Sequence, residues 1–170
     1  DIPSLCRVVQ GLVLHYVGER HLVGGTIPYE RLCEIDTRYV PRILARLLEM
    51  DSRPLQEERT PANRFVGCCR DFSVLFCSML RYFGIPARTR SGFADYFVKD
   101  YYIDHVVVEY WNRTHWQLVD SELPPADHWG FDVTDVPRDR FLVGGAAWQM
   151  CRRGEADPER FGLGPGIPVR

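Results

Sequence analysis

The residue types in this sequence best suited to chemistry are two adjacent cysteines, a histidine and an aspartate: Cys68, Cys69, His105 and Asp120. The cysteines directly precede a segment of helical spacing, so either one can stand at the start of a helix. Backbone N–H groups and the positive end of the helix dipole stabilise a thiolate there and lower its pKa from about 8.5. With a histidine and an acidic residue on neighbouring strands, such a thiolate can carry out acyl transfer through a Cys-His-Asp relay.

The elements that must position these residues follow from the hydrophobic spacing. Beyond the cysteines, apolar residues keep helical spacing for three turns, and Gly84, closely followed by a proline, ends that helix. The period then changes to two, which predicts strands near 87–98, 102–111 and 115–120. His105 therefore lies in the second strand, and Asp120 ends the third.

The first half of the chain is predicted to be helical. Apolar residues recur at spacings of three and four from Leu5 to Tyr16, and the pair Gly24-Gly25 breaks that pattern. Pro28 begins a short helix that continues to about Ile35. Pro41 begins a third helix, whose buried stripe is formed by Ile43, Leu44, Leu47 and Leu48. Residues 51–60 are polar and are predicted to form a loop.

The order of these elements, helices first and then an antiparallel sheet, predicts an α+β fold. In this fold, N-terminal helices and a nucleophile-bearing helix pack on the sheet. At 170 residues the chain is expected to form a single domain with its own core. The stretch beyond Asp120 is rich in Pro, Asp and Gly and is predicted to be irregular, except for a short helix near 146–153.

Several motifs, taken together, resemble the transglutaminase-like, papain-related superfamily. They are the stretch RFVGCCRDFSVLFCSMLRYFGIPAR from Arg64 to Arg88, the pair Asp104-His105 and the segment Trp116–Asp120. The core of that family reads G-x-C at a helix start, then L-R-x-x-G-I-P-A-R, a histidine on a strand, and W-x-x-x-D. The whole chain is also similar to uncharacterised bacterial proteins with a transglutaminase-like domain. The resemblance divides the expected domain into a helical N-terminal part, the family core and an irregular C-terminal extension, over 1–59, about 60–123 and 124–170.

The resemblance implies a role for each candidate. The G-x-C motif places the nucleophile at Cys69, with Gly67 allowing close approach of the backbone, while Cys68 is the alternative. His105 would take the thiol proton and later return a proton to the leaving amine. Asp120 would orient the imidazole and stabilise its cation.

Neighbouring residues receive less specific roles. Glu122 is a weaker substitute for Asp120, and Asp104 is expected to point away from the face of the strand that carries His105. Asp71 is expected to cap the nucleophile helix. The other cysteines are interpreted as small buried hydrophobic residues: Cys6, Cys33, Cys77 and Cys151.

The remaining polar residues near the motifs are expected to be structural. His115 is expected to be solvated, while His15, His21 and His128 have no partner pattern. Arg81 and Arg88 are expected to pair with acidic groups.

One departure from the family pattern concerns the oxyanion. Transglutaminases proper place a tryptophan upstream of the cysteine, whereas here no tryptophan precedes Trp111. The backbone N–H of Cys69 can supply one oxyanion donor, and Asn63 and Arg64 are candidates for the second. Crosslinking of proteins is therefore not implied, and nothing in the sequence resembles a calcium-binding loop.

Composition and charge narrow the classes of function. Lys and Arg number 21 against 23 Asp and Glu, and the net charge of -2 argues against nucleic acid or an anionic membrane as partner. The six cysteines are scattered through apolar helical patterns, so we expect reduced thiols and a cytoplasmic, bacterial-type enzyme. The sequence contains no CxxC or HxxxH pair, and we expect neither a metal nor a cofactor. Because the chain begins at Asp1 and not at methionine, we expect a trimmed start, which leaves room for a removed signal peptide.

These observations predict a thiol-dependent enzyme that acts on a peptide or small amide through a thioester, with hydrolysis favoured over amine transfer. Two other classes stay open. One is a non-catalytic binding module on the same scaffold, and the other is a structural zinc protein that uses Cys68, Cys69 and His105. Covalent labelling tests the first alternative, and metal analysis tests the second.

Overall fold

The structure of the chain, a computed structural model, describes residues 1–167. Its helices and strands follow one another in the order α1 (Ile2–Leu12), β1 (Val13–His15), α2 (Tyr29–Leu32), α3 (Val40–Met50), β2 (Phe65–Gly67), α4 (Cys69–Tyr82), β3 (Ala87–Val98), β4 (Tyr101–Trp111), β5 (Trp116–Val119), β6 (Phe141–Val143), α5 (Gly144–Arg152) and β7 (Phe161–Gly162). Within the described range, no helix combines the length and apolar character that crossing a membrane requires.

Five strands form the main sheet. Their order is β5-β4-β3-β6, with antiparallel neighbours, and β7 pairs with β4 in parallel. The β3–β4 hairpin places Gly92 opposite His105, and β5 places Val119 opposite Val108. This mixture of helices and an antiparallel sheet confirms the predicted α+β class.

A separate two-stranded sheet joins β1 and β2 in parallel, with His15 opposite Gly67. The first helix therefore ends at Leu12, and the prediction that it continues to Tyr16 is wrong. Val13 and Leu14 are fully buried and pair with β2. The extended conformation therefore gives their backbone groups hydrogen-bond partners on β2 while their side chains stay in the core. The short sheet brings the end of β1 beside the segment that leads into α4.

Helix α4 lies between the N-terminal helices and the main sheet, and its apolar face forms the centre of the core. The buried apolar residues of that face are Phe72, Leu75, Phe76, Cys77 and Leu80. The hydroxyl of Ser73 donates to the carbonyl of Val106 at 2.7 Å, which ties α4 to β4 next to His105. The buried apolar face of α3 is narrower than predicted, since Leu47 is buried while Leu48 is 47% exposed.

A buried carboxylate holds β2 in place. Glu34 accepts hydrogen bonds from Arg31, from Arg46 and from the N–H of Val66, at 2.8 to 3.0 Å. Burial alone would raise the pKa of Glu34, but these hydrogen bonds and the charge of Arg31 lower the pKa below its usual value. The carboxylate is therefore ionised in the folded protein at neutral pH.

Two segments that were predicted to be irregular also contribute buried residues. In the loop 51–60, Arg59 is buried and donates to two backbone carbonyls. In the C-terminal extension, β6 pairs with β3 and buries Phe141, and α5 lies where a helix was predicted. The last part of that predicted extension, 168–170, lies outside the described residues.

Candidate active site

The two cysteines lie at the start of α4. Cys68 is the residue that precedes its first turn, and Cys69 is its first residue. The N–H of Cys68 donates to Oδ2 of Asp71 at 2.9 Å, so Asp71 caps the helix as predicted. Arg70 donates to the same carboxylate, which is fully buried.

Gly67 allows the chain to enter α4 at close range. A Cβ at this position would lie 2.9 Å from both Cβ and Oδ2 of Asp71, and 3.1 Å from Cγ1 of Val13. A larger residue would therefore push Asp71 away from the N–H of Cys68. The predicted need for close backbone approach at Gly67 is confirmed.

His105 on β4 and Asp120 just beyond β5 form a buried pair. Nε2 of His105 lies 2.7 Å from Oδ2 of Asp120, and the two side chains are 4% and 1% exposed. The hydroxyl of Tyr96 donates to the same Oδ2 at 2.7 Å, and the N–H of Glu122 donates to Oδ1 at 3.1 Å. Burial by itself lowers the pKa of His105, but the charge and hydrogen bond of Asp120 outweigh it and raise the pKa.

The sulfur of Cys69 lies close to this pair. Sγ of Cys69, a ring nitrogen of His105 and a carboxylate oxygen of Glu122 all lie within 4.8 Å of one another. Because Asp120 occupies Nε2 of His105, Nδ1 is the nitrogen that is left for the sulfur. The structure thus brings Cys69, His105 and Asp120 together. His105 and Asp120 are already in hydrogen-bond contact, and a small movement of Cys69 toward His105 would bring the sulfur within hydrogen-bond distance as well.

The two adjacent thiols differ in their protonation. A hydrogen bond with Cys68 raises the pKa of Cys69, and burial raises it further. The same hydrogen bond lowers the pKa of Cys68 to about 7. Within the pair, Cys68 is therefore the more acidic thiol, and Cys69 holds its proton more strongly.

Glu122 and His15 are two site residues whose roles sequence reasoning missed. Nδ1 of His15 accepts from the N–H groups of Val17 and Gly18, so its proton is on Nε2, which lies 3.9 Å from Oε1 of Glu122. Burial and the charge of His105 lower the pKa of His15 to about 4. Burial raises the pKa of Glu122 to about 8. No sequence pattern marks His15, because β1, the strand that brings it to the site, is only three residues long.

Aromatic rings enclose His105. The ring of Phe97 meets it edge to face at 4.9 Å between centroids, and Tyr96 does so at 6.1 Å. Trp129 packs against both aromatic residues, and its indole N–H donates to the carbonyl of Pro124. These rings keep water away from the His105–Asp120 pair and so strengthen its electrostatic interaction.

The neighbouring residues partly follow their predicted roles. Asp104 is exposed while His105, one residue on, is buried, and His115 is exposed as predicted. Arg88 pairs with the buried Glu109 at 2.7 Å, which confirms its predicted acidic partner.

Other predictions were wrong. Arg81 donates to the carbonyl of Ala87 and not to an acidic group. Cys33 is exposed and Cys151 is half-buried, whereas the other two cysteines predicted to be core residues are buried. Arg64, a candidate oxyanion donor, is buried with its guanidinium bonded to Glu58 and to a backbone carbonyl.

The fold and the site together are those of a cysteine-based acyl-transfer or peptidase scaffold. A model of the transglutaminase-like superfamily matches residues 44–121, and this match supports the resemblance to that superfamily, whose members are generally cysteine-dependent enzymes. The matched segment includes both cysteines, His105 and Asp120, and it begins upstream of the predicted core, within α3. A search of curated proteins found no match, and neither did a search of solved structures.

Proposed function

We propose that this protein is a thiol-dependent enzyme that cleaves an amide or peptide bond through an acyl thioester on Cys69. The observation that carries the proposal is the position of the Cys69 sulfur, within 4.8 Å of a ring nitrogen of His105, together with the contact between Nε2 of that ring and Asp120. This proximity supports the roles proposed here: Cys69 as the nucleophile, His105 as the base and Asp120 as the acid that orients it.

In the first half of the reaction, the Cys69 thiol gives its proton to Nδ1 of His105. The thiolate adds to the carbonyl carbon, and the backbone N–H of Cys69 is our candidate donor to the oxyanion that forms. His105 then returns the proton to the departing amine as the C–N bond breaks, which leaves a thioester. Asp120 holds the imidazolium by charge during both proton transfers.

In the second half, an acceptor gives a proton to His105 and attacks the thioester, and the Cys69 sulfur leaves with that proton. We favour water as the acceptor, since the upstream tryptophan of crosslinking transglutaminases is absent from this sequence. The substrate class is a peptide or small amide, and transfer to an amine is the alternative outcome of the same chemistry. The expected cytoplasmic location is part of this proposal.

A binding module on the same scaffold is the competing function. A binding module does not need a histidine that lies close to a cysteine. It also does not need a buried carboxylate that binds the ring of that histidine. Covalent chemistry on Cys69 distinguishes the two functions.

The test is intact-protein mass spectrometry after brief incubation with an activated ester such as p-nitrophenyl acetate, followed by peptide mapping. We expect one acetyl group on Cys69, released by hydroxylamine, and no adduct on Cys69→Ala. Cys68→Ser is the matched control, because its sulfur is adjacent in sequence but its loss leaves Cys69 and His105 in place. Acetylation confined to lysines, or unchanged in Cys69→Ala, would contradict the proposal.

A further inference from the structure

Three donor atoms of different chemistry converge in the candidate active site. They are the sulfur of Cys69, a ring nitrogen of His105 and a carboxylate oxygen of Glu122, all within 4.8 Å of one another. Thiolate, imidazole and carboxylate are the three ligand types that bind zinc, with bonds of about 2.0–2.3 Å. Ligand atoms of such an ion lie about 3.3–3.8 Å apart, so closing movements on the order of 1 Å would complete the site.

The histidine is already oriented for metal binding. Its Nε2 is held by Oδ2 of Asp120 at 2.7 Å, and Tyr96 donates to the same oxygen. Ligating histidines usually give their second ring nitrogen to such a carboxylate, which fixes the tautomer and raises the basicity of the free nitrogen. The pair that prepares Nδ1 of His105 to accept a proton therefore also prepares it to bind a metal ion.

Glu122 supplies an observation that the thiol mechanism leaves unexplained. Its Oε2 atom is buried and finds no hydrogen-bond partner among the described residues, while its backbone N–H is bound to Asp120. Its Oε1 atom faces Nε2 of the neutral His15 at 3.9 Å, which is too long for a hydrogen bond. A buried carboxylate oxygen without a partner is costly, and a bound cation satisfies it.

The charge balance agrees with a divalent ion. One thiolate and one carboxylate neutralise two positive charges, so the ion and its three ligands together carry no net charge, and the Asp120 carboxylate beside them favours a bound cation further. Binding is an exchange without electron transfer, in which the metal ion replaces the proton of Cys69 and, where present, that of Glu122. Three protein ligands leave a fourth position for water.

We propose that Cys69, His105 and Glu122 form a reversible zinc-binding site and that the bound ion inhibits the enzyme. The inhibitory part of this inference rests on the proposed function, because the ion occupies the sulfur and the ring nitrogen that acyl transfer needs. The binding part stands without it. The zinc protein considered in the sequence analysis would use Cys68, Cys69 and His105 as ligands. In the site proposed here, Glu122 takes the place of Cys68.

The binding test uses Co²⁺ as the probe on the full chain, because a thiolate–Co²⁺ bond gives a charge-transfer band in the near ultraviolet. We expect one Co²⁺ per chain, displaced by Zn²⁺. Cys69→Ser should abolish the band, whereas the matched variant Cys68→Ser should keep it. Glu122→Gln, which is nearly isosteric, should weaken binding by about 10-fold or more.

Two results would overturn the site. One is a charge-transfer band that is lost in Cys68→Ser and kept in Cys69→Ser. The other is Glu122→Gln binding Co²⁺ as tightly as the wild type while its melting curve shows it to be folded. If Glu122→Gln does not fold, His105→Gln takes its place, and undiminished binding by that variant overturns the site as well.

The activity test uses the same proteins with the activated ester. The wild type should be fully active in EDTA and lose activity on addition of Zn²⁺, while Glu122→Gln should need about 10-fold more Zn²⁺ to lose the same fraction of its own activity in EDTA. If the band behaves as expected but no Cys69 adduct forms in EDTA, the proposed function fails and the site stands. If EDTA abolishes the activity and Zn²⁺ restores it, the inhibitory role is overturned.

Discussion

Oδ2 of Asp120 accepts two short hydrogen bonds, one from Nε2 of His105 and one from the hydroxyl of Tyr96, each at 2.7 Å. Oδ1 is held separately by the N–H of Glu122. The carboxylate therefore cannot rotate without breaking three contacts, and the imidazole presents Nδ1 in one direction only. This arrangement is present before any substrate binds, which is what preorganised acid–base catalysis requires.

The three candidate catalytic residues should differ in the size of their effects. Cys69→Ala should abolish turnover and acyl labelling, because no thioester can form. His105→Ala should lower turnover by about 10²- to 10⁴-fold, the usual contribution of a general acid–base, and should also slow labelling. Asp120→Ala should be the mildest of the three in turnover, measured as kcat/KM on the activated ester.

Thermal melts of the same variants separate chemistry from packing. Asp120→Ala leaves buried donors on His105 and Tyr96 unpaired, so we expect a loss of about 1–3 kcal/mol in the free energy of unfolding. Tyr96→Phe is the matched control, since it removes one donor to the same oxygen and leaves His105 bound. Full activity in folded Asp120→Ala would reduce the site to a Cys-His pair.

Alkylation should identify the reactive thiol. With limiting iodoacetamide and peptide mapping, we expect Cys69 to be modified first of the six cysteines, because His105 can accept its proton. The competing thiol is Cys68, whose pKa of about 7 makes it partly ionised at neutral pH. Cys6 and Cys77 are buried and should react last. A native protein alkylated at Cys68 while Cys69 stays inert would reverse the assignment.

Gly67 should tolerate no side chain. Gly67→Ala places a methyl group 2.9 Å from Asp71 and displaces the helix cap, so we expect a loss of about 1–3 kcal/mol in stability together with reduced acyl labelling. Gly145→Ala is the matched control, since within the described structure its Cβ meets nothing within 4 Å and it lies in α5. That control should be neutral or slightly stabilising. Equal melting temperatures for the two variants would contradict the packing argument.

Glu34→Gln should destabilise the protein in a pH-dependent way. Because the pKa of Glu34 is lowered on folding, its contribution is present above the unfolded value of about 4.5 and is lost as pH falls through the folded value. We expect a loss of about 2–4 kcal/mol at neutral pH, shrinking toward acid pH, in urea titrations. Glu49→Gln removes the exposed partner of the same Arg46 and should cost less than about 0.5 kcal/mol. A pH-independent loss in Glu34→Gln would contradict the role of its charge.

Much of the fold follows from local patterns. The helix that begins at Cys69 and the strands of the main hairpin were predicted within a few residues, because each carries its own periodicity and its own end signals. The cap by Asp71 and the close approach at Gly67 also follow from residues within one turn of the nucleophile. These features depend on interactions between residues that are near one another in sequence.

The features that the sequence missed all depend on distant partners. Strands β1, β2 and β6 contain three residues each, too few for a period to be visible, and they are strands only because another segment lies beside them. His15 and Glu122 are more than one hundred positions apart, and the sequence marks Glu122 only as a weaker substitute for Asp120. The sequence by itself therefore determined the class of fold and the three candidate catalytic residues. Only the tertiary structure decided which groups surround them, because burial and the resulting loss of partners at Glu122 arise when separate elements pack together.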